Sequence, residues 1–503
     1  VLSVVVFLPL AAGLVLLVLP RPRDGTVART WVAASALDLA LVIGLWAYHP
    51  SASGSPGAVT GPLAYEERVL WIPSVGASYH VGVDGLSLPL MAMTAVLFLA
   101  CAVHSLRQRV RTRAHAVLFL FLQTVSTGLF CALDLLLFFV FFDLSIVGMY
   151  FVIAGWGHGR PARSALQFFL YTFFGSLALL LGFIGLYVSS DPRTFDMVEL
   201  AGQTPLEGRE PAGGLVLLAI GVGLAVKTPT VPFHTWLPPA HTDAPAAGSA
   251  ILAGVLLKMG TYGFVRIAMP ILPGAWSDHA MVIVVVGVVS VLYGALVALA
   301  QTDFKRMVAY TSVNHMGYII LGLGAAGLAT GAQSGAASLA ITGGVTQMVS
   351  HGLLTGALFL LAGVLHDRAD TYDMGSYGGL AARAPRFAAL AAVAFFGSLG
   401  LPGLSGFIAE FQIFAGSLGP VPVATALALL GILITAALFL RALRRLFLGG
   451  PGPCTDRVGD LSARESAAIA PLLALAVLIG LLPRFLLDRV EPAARALAAL
   501  VSG

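Results

Sequence analysis

Apolar positions run along this chain in long unbroken stretches instead of alternating with polar ones. Fourteen such segments stand out, at about 1–20, 28–48, 85–105, 114–133, 134–155, 164–189, 214–233, 246–270, 279–300, 305–325, 337–365, 385–416, 421–448 and 466–486. Segments of this length are what helices need to cross a bilayer, so the pattern predicts an all-α polytopic membrane protein. A transmembrane barrel is excluded, because its strands would be short and would alternate polar with apolar residues. No hydrophilic stretch is long enough to hold a soluble domain, and the whole chain reads as one membrane bundle.

Two segments are interrupted. The seventh carries Lys227-Thr228-Pro229-Thr230-Val231-Pro232, and the twelfth carries Gly397-Ser398-Leu399-Gly400-Leu401-Pro402-Gly403. An ordinary proline kink would explain either one alone. Broken helices in corresponding positions of two halves instead point to a transport site, because a break frees backbone groups and opens room for water. The positions predict two inverted five-helix repeats, 114–270 (helices 4–8) and 279–448 (helices 9–13). Helices 1–3 precede them in 1–113, and a fourteenth helix and tail occupy 449–503.

Composition agrees. Of 503 residues, 58% are apolar and 10% charged, and the mean hydropathy is +0.92, whereas a soluble domain carries about a quarter charged residues. The net charge of +4 does not indicate nucleic acid, since the basic residues sit in short loops. Connections after odd-numbered helices and their flanks hold 19 basic residues, from Arg21 to Arg464 and including Lys305; the opposite side holds 7, including Arg266. This bias predicts a cell (inner) membrane protein with both termini on the outer, periplasmic side. The first apolar run lacks a basic stretch before it and leads into Pro20-Arg21-Pro22-Arg23 in place of a cleavage site, so it is expected to be a spanning helix and not a removed signal. Cys101, Cys131 and Cys454 are far apart, which gives no zinc, Fe–S or disulfide framework; the first two read as small buried hydrophobes.

Four ionisable residues fall near mid-membrane: Asp143, Lys227, Lys258 and Glu410. Each costs about 2.5–3.5 kcal/mol or more at a helix centre unless paired or hydrated. Static salt bridges are the plain alternative, yet apolar replacements of buried ion pairs are often neutral or stabilising. The chain has 3 lysines against 25 arginines, and two of the three lie in the membrane. Arginine stays charged, whereas lysine can give up its proton, so these two positions suit a proton relay. His315 and His351, in the tenth and eleventh segments, can both give and accept a proton. His234 and His241 flank a proline-rich stretch at a spacing unlike a helical metal motif, which leaves proton uptake or loop structure as their role. Asp38 has no evident partner and is expected to face a neighbouring subunit. No nucleotide-binding loop, catalytic nucleophile motif or haem-type histidine pair is present, so no catalytic or cofactor-binding residue and no metal ligand is assigned.

Val83-Asp84-Gly85-Leu86-Ser87-Leu88, the stretch from Lys227 to Thr261, Ser312-Val313-Asn314-His315-Met316-Gly317 and Ser350-His351-Gly352-Leu353 together resemble the antiporter-like subunits of proton-pumping NADH:quinone oxidoreductase, respiratory complex I. The resemblance covers essentially the whole chain, and an acid at Glu410, where sister subunits carry Lys, is the mark of the family's M-type (subunit 4) branch. It implies proton translocation along Asp143, Lys227, Lys258, His315, His351 and Glu410, coupled to quinone reduction elsewhere. It also implies L-type and N-type membrane-arm neighbours, with NADH, FMN, Fe–S clusters and quinone held by partner subunits and none by this chain. Asp143 departs from the family, which has Glu there; one methylene shorter, it needs a water or a shifted helix to reach Lys227. Two rivals share the fold, a subunit of a multi-chain cation/proton antiporter and the membrane arm of an energy-converting hydrogenase. A membrane-embedded transferase is disfavoured, because the titratable groups lie at mid-depth and not at one membrane face.

Overall fold

The computed structural model describes residues 1–20, 22–49 and 63–502; Arg21, counted above among the loop cations, lies outside them. Among the described residues ten helices are long and apolar enough to cross a membrane: Asp24–Ala47, Ser87–Arg107, Thr112–Cys131, Leu135–Trp156, Pro161–Ser189, Ala246–Ile271, Pro273–Ala300, Ser334–Ala369, Pro422–Phe447 and Ala463–Leu481. Leu2–Val18, Ala212–Lys227 and Pro385–Ser398 are shorter apolar helices, and Phe304–Gly327 and Ser405–Leu418 complete the bundle. Proline opens several of these helices, at 161, 273, 385 and 422, where its missing N–H costs nothing and its fixed φ suits the first turn. Asp134, Asp303 and Ser462 cap others by accepting from first-turn amides.

Two helices form the axis. Ala246–Ile271 and Ser334–Ala369 are buried along their whole apolar windows, and the second packs against Ser405–Leu418, Phe304–Gly327, Ala463–Leu481 and Ser87–His104. Both carry expected site residues, Lys258 and His351. Ala246–Ile271 is not a regular α-helix: it widens into π turns at Leu252–Leu256 and Phe264–Ala268.

Several short or one-sided elements escaped the hydrophobic pattern, among them the helices Met197–Gln203 and Leu237–Asp243. The strands β1 (Ala64–Ile72) and β2 (Ala77–Val83) form an antiparallel hairpin, and Arg484–Val501 is an amphipathic helix that buries Leu486, Val490, Ala494, Leu497 and Val501 on one face. That helix lies so close over Gly85 that a Cβ there would meet the Arg489 carbonyl. The hairpin is fastened by His80, whose Nδ1 is 2.6 Å from Asp196 Oδ2 and whose Nε2 is 2.8 Å from Glu66 Oε1. Arg68 adds a contact of 2.7 Å to Glu199. Burial alone would lower the His80 pKa, but bonding and charge from Asp196, then Glu66, raise it above the ordinary imidazole value. Burial likewise works to raise Asp196, and His80, the Glu199 amide and Arg68 overcome it and hold that carboxyl below its usual range.

Three expectations about single residues are corrected. Asp38 is fully buried and not turned to a neighbour: Gln123 Nε2 donates to its Oδ2 at 2.7 Å, and Ser35 Oγ donates to Gln123 Oε1 at 2.8 Å. Arg266, counted as a loop cation, is buried against Asp84 at 2.6 Å and the Tyr262 hydroxyl at 2.8 Å. Lys305, also counted as a loop cation, is wholly buried. For Arg266 and Lys305 the error has one source, since a charge near a helix end looks the same in sequence whether it faces water or the bundle. Asp38 lies mid-helix, and its partner is a neutral Gln123 on another helix that carries no charge to mark it. Cys101 and Cys131 are buried free thiols, as expected.

Candidate functional site

The twelfth segment breaks between Pro385–Ser398 and Ser405–Leu418. The break is folded tightly, with Gly400 at φ +77° and Gly406 against the Gly397 carbonyl, so that a Cβ at Gly406 would strike that oxygen. Helix termination leaves carbonyls without intrahelical partners. One of them, Ser398 O, accepts from His315 Nε2 at 3.0 Å. The same nitrogen lies 4.0 Å from Glu410 Oε1, and the Glu410 carboxylate packs on Gly400, where a side chain would displace it.

His315 and His351 meet edge to face, ring centroids 5.3 Å apart. His351 Nδ1 is 2.6 Å from Lys258 Nζ, which also donates to the Ala253 carbonyl at 2.6 Å. Ala253 belongs to the first π turn, and the widened ladder leaves its carbonyl within reach of a side chain five residues on. Lys258, His351, His315 and Glu410 are all buried. A cavity of about 10 Å³ is lined by His315, His351, Gln347, Ser350, Ser398 and Glu410, which is the space one water requires. The four titratable groups thus stand in one file across four helices.

Lys227 ends the helix Ala212–Lys227 at the other break. There too a freed carbonyl is taken by a ring: Trp236 Nε1 donates to Val226 O at 2.9 Å. The Lys227 ammonium donates to Ser145 Oγ at 2.8 Å and lies 4.7 Å from the centroid of Phe142. Asp143 is its electrostatic neighbour, and Asp143 Oδ1 is buried with no hydrogen-bond partner. Ser145, two residues on, occupies the contact that the shorter carboxylate leaves. Among the described residues no hydrogen bond joins Lys227 to Lys258, so Lys227 with Asp143 is a separate station.

His241 is fully buried, stacked on Phe359 at 4.5 Å, and neither ring nitrogen has a hydrogen-bond partner. His234 packs edge-on against Tyr293 at 4.8 Å, and among the described residues its Nδ1 has no hydrogen-bond partner. Ser145, Gln347 and the Ser398 carbonyl escaped sequence reasoning, since serines and glutamines carry no burial cost large enough to single them out. Lys305 left a readable signal, as the third lysine in a chain that otherwise uses arginine. Among the described residues no group of three or more His, Cys, Asp or Glu is placed to hold a metal ion.

Comparison with known proteins matches residues 132–435 to a family described as NADH:quinone oxidoreductase/Mrp antiporter, transmembrane. NADH-quinone oxidoreductase subunit M of Rickettsia conorii is 36% identical over 499 residues, covering 97% of this chain and 96% of that protein. A chain of respiratory complex I from Thermus thermophilus with bound NADH superposes with a TM-score of 0.89 at 32% identity, covering 100% of both chains. A chain of the Mrp complex from Dietzia sp. DQ12-45-1b shares the fold, with a TM-score of 0.84 at 22% identity over 100% of this chain and 99% of that one.

Proposed function

Because the chain belongs to the NADH:quinone oxidoreductase/Mrp antiporter membrane family, we propose that it is the proton-translocating M-type subunit in the membrane arm of an NADH:quinone oxidoreductase. The observation that carries this reading is the file of buried titratable groups from Lys258 through His351 and His315 to Glu410, with space for one water among them. In this reading Asp143 and Lys227 form a charge pair whose loosening controls transfer, and the file passes a proton from Lys258 to Glu410. Lysine and histidine can each hold or release the proton, and the two carbonyl-capped breaks keep their side chains in place.

The finer parts of the proposal are a fourteen-span topology in two inverted repeats, termini on the outer side of the inner membrane, and L-type and N-type neighbours. This chain would carry no redox chemistry, with NADH, FMN, Fe–S clusters and quinone bound by partner subunits. The test is gentle solubilisation of the native membrane followed by a native gel. Co-migration with NADH-dehydrogenase activity is expected. Separation into a smaller all-membrane assembly would favour the cation/proton antiporter reading, which the shared Mrp fold keeps in view, and sodium-dependent transport would then identify it.

A further inference from the structure

Three connections converge beside the helix Leu237–Asp243 on the arginine-rich face. The segment after Trp156 is pinned by His158 N donating to Asp243 O at 2.8 Å and by Ser164 Oγ donating to Asp243 Oδ2 at 2.5 Å. The segment after Ala369 is stitched to residues 302–304, with Phe304 N donating to Tyr372 O at 2.9 Å and Met374 N to Thr302 O at 2.9 Å. The result is a cluster that the site above does not use. The His158 and His366 rings lie 4.6 Å apart at 31°, and His366 stacks on Tyr372 at 4.5 Å. The Lys305 Nζ sits 5.1 Å from the Tyr372 ring centroid.

We propose that His158 and His366 form a paired-imidazole port that passes protons from the arginine-rich face to buried Lys305, and from there to His241 and the Lys258 file. The proposal rests on the proton-translocating reading and names the groups that feed it. His366 is partly exposed, and its Nε2 lies 3.5 Å from the exposed Asp370 carboxylate. His158 Nε2 is buried with no hydrogen-bond partner. Burial, then Lys305 and His366, push the His158 imidazole down to about 4, so it rests neutral and would hand a proton on without holding it. Lys305 Nζ donates to the Ala244 carbonyl at 2.5 Å and the Thr242 carbonyl at 3.4 Å. A neutral amine keeps two N–H groups, so Lys305 can release its proton without breaking either bond. Asp243, Asp303 and Asp367 act on it only through space. The next residue along the receiving helix is His241, which lies in electrostatic range of both Lys305 and Lys258. Buried polar atoms are nearly always bonded, and a buried imidazole with both nitrogens unbonded is better suited to handing on a proton than to holding a fold.

The test is proton pumping by the whole complex in sealed vesicles, with electron transfer followed in parallel. His158→Phe combined with His366→Phe keeps the ring stacking and removes the proton carriers. The initial rate of proton uptake should fall by about tenfold or more, and millimolar free imidazole on the arginine-rich side should restore it. His158→Gln with His366→Gln is the second variant, should the first fail to assemble; the same loss and rescue are expected. Wild-type pumping by an assembled double variant overturns the port, as does a loss that imidazole leaves unrepaired. Lys258→Ala separates the two readings. If it abolishes pumping while the double histidine variants pump normally, only the port fails. If it too pumps normally, the file itself is wrong.

Discussion

At the scale of single residues, the structure turns on groups whose bonds survive a change of protonation. Glu410→Gln keeps the size of the side chain and removes its titration. Pumping should be lost while the complex still assembles, as judged by a native gel beside the pumping assay; normal pumping would remove Glu410 from the file. Lys227→Ala should likewise abolish coupled pumping, whereas a purely structural lysine would give instability or no defect. Gly400→Ala should fail differently. A side chain at φ +77° costs about 1–2 kcal/mol and strikes the Glu410 carboxylate, so both thermal stability and pumping should drop. The lysines and Glu410 were legible because a charge in hydrocarbon is expensive enough to mark its own position. Ser145 and the Ser398 carbonyl were not, because their part depends on which helix ends lie beside them, and only tertiary packing decides that. The geometry of Asp143 was half legible: its short reach could be read from the side chain, but its replacement by Ser145 at the Lys227 ammonium could not.

At the scale of elements, the long apolar runs were easily read and the short or one-sided elements were not. Strand β1 has nine residues, well below the length that marks a membrane span. The helix Arg484–Val501 mixes charges with apolar residues on opposite faces, so a search for continuous hydrophobicity passes over it. The hairpin also yields a pH prediction. The raised His80 pKa gives a contribution to stability that is complete below the ordinary imidazole range and disappears as pH rises through the folded-state value. The lowered Asp196 pKa gives one that persists in mild acid and disappears only as pH falls through its own folded-state value. Hydrogen exchange, corrected for intrinsic rates, should therefore find the β1–β2 amides protected near about pH 6 and less protected toward about pH 9. In His80→Gln the protection should be weaker and should lose most of this dependence. Equal protection at both pH values in the parent protein would mean that His80 does not fasten the hairpin.

At the scale of the whole molecule, the organisation is two buried helices wrapped by lipid-facing ones. The former hold buried titratable groups of the proposed file: Lys258 on one, His351 on the other. The outer helices expose large apolar side chains such as Leu181, Leu215, Val282 and Leu433, which suits acyl chains and neighbouring subunits alike. If proton movement here is driven by electron transfer in partner chains, detergent that strips the complex should leave this chain folded but without net pumping. Light scattering or circular dichroism on the isolated chain, beside a vesicle assay, would check this; net uphill pumping by the chain alone would contradict it. The periodicity made the bundle legible, but not which helices lie at its centre, since a buried and a lipid-facing helix are equally apolar. The clue lay in the small and polar residues of Ser334–Ala369, among them Gly343, Gly344, Gly352 and Gly356, which permit helices to approach one another closely.

The π turns on either side of Lys258 set a constraint of another kind. A π turn is how a helix accommodates one surplus residue. Excising any one residue from Leu252–Leu256 would let that stretch relax to α without turning the flanking faces, because the wide turn had taken the surplus residue into a single turn. The Ala253 carbonyl, which that turn brings within reach of Lys258, would be drawn back into α geometry, and Lys258 would lose its second acceptor. The span should therefore accept many apolar exchanges while single-codon deletions in this stretch impair function, so that its reading length is inherited as strictly as its lysine.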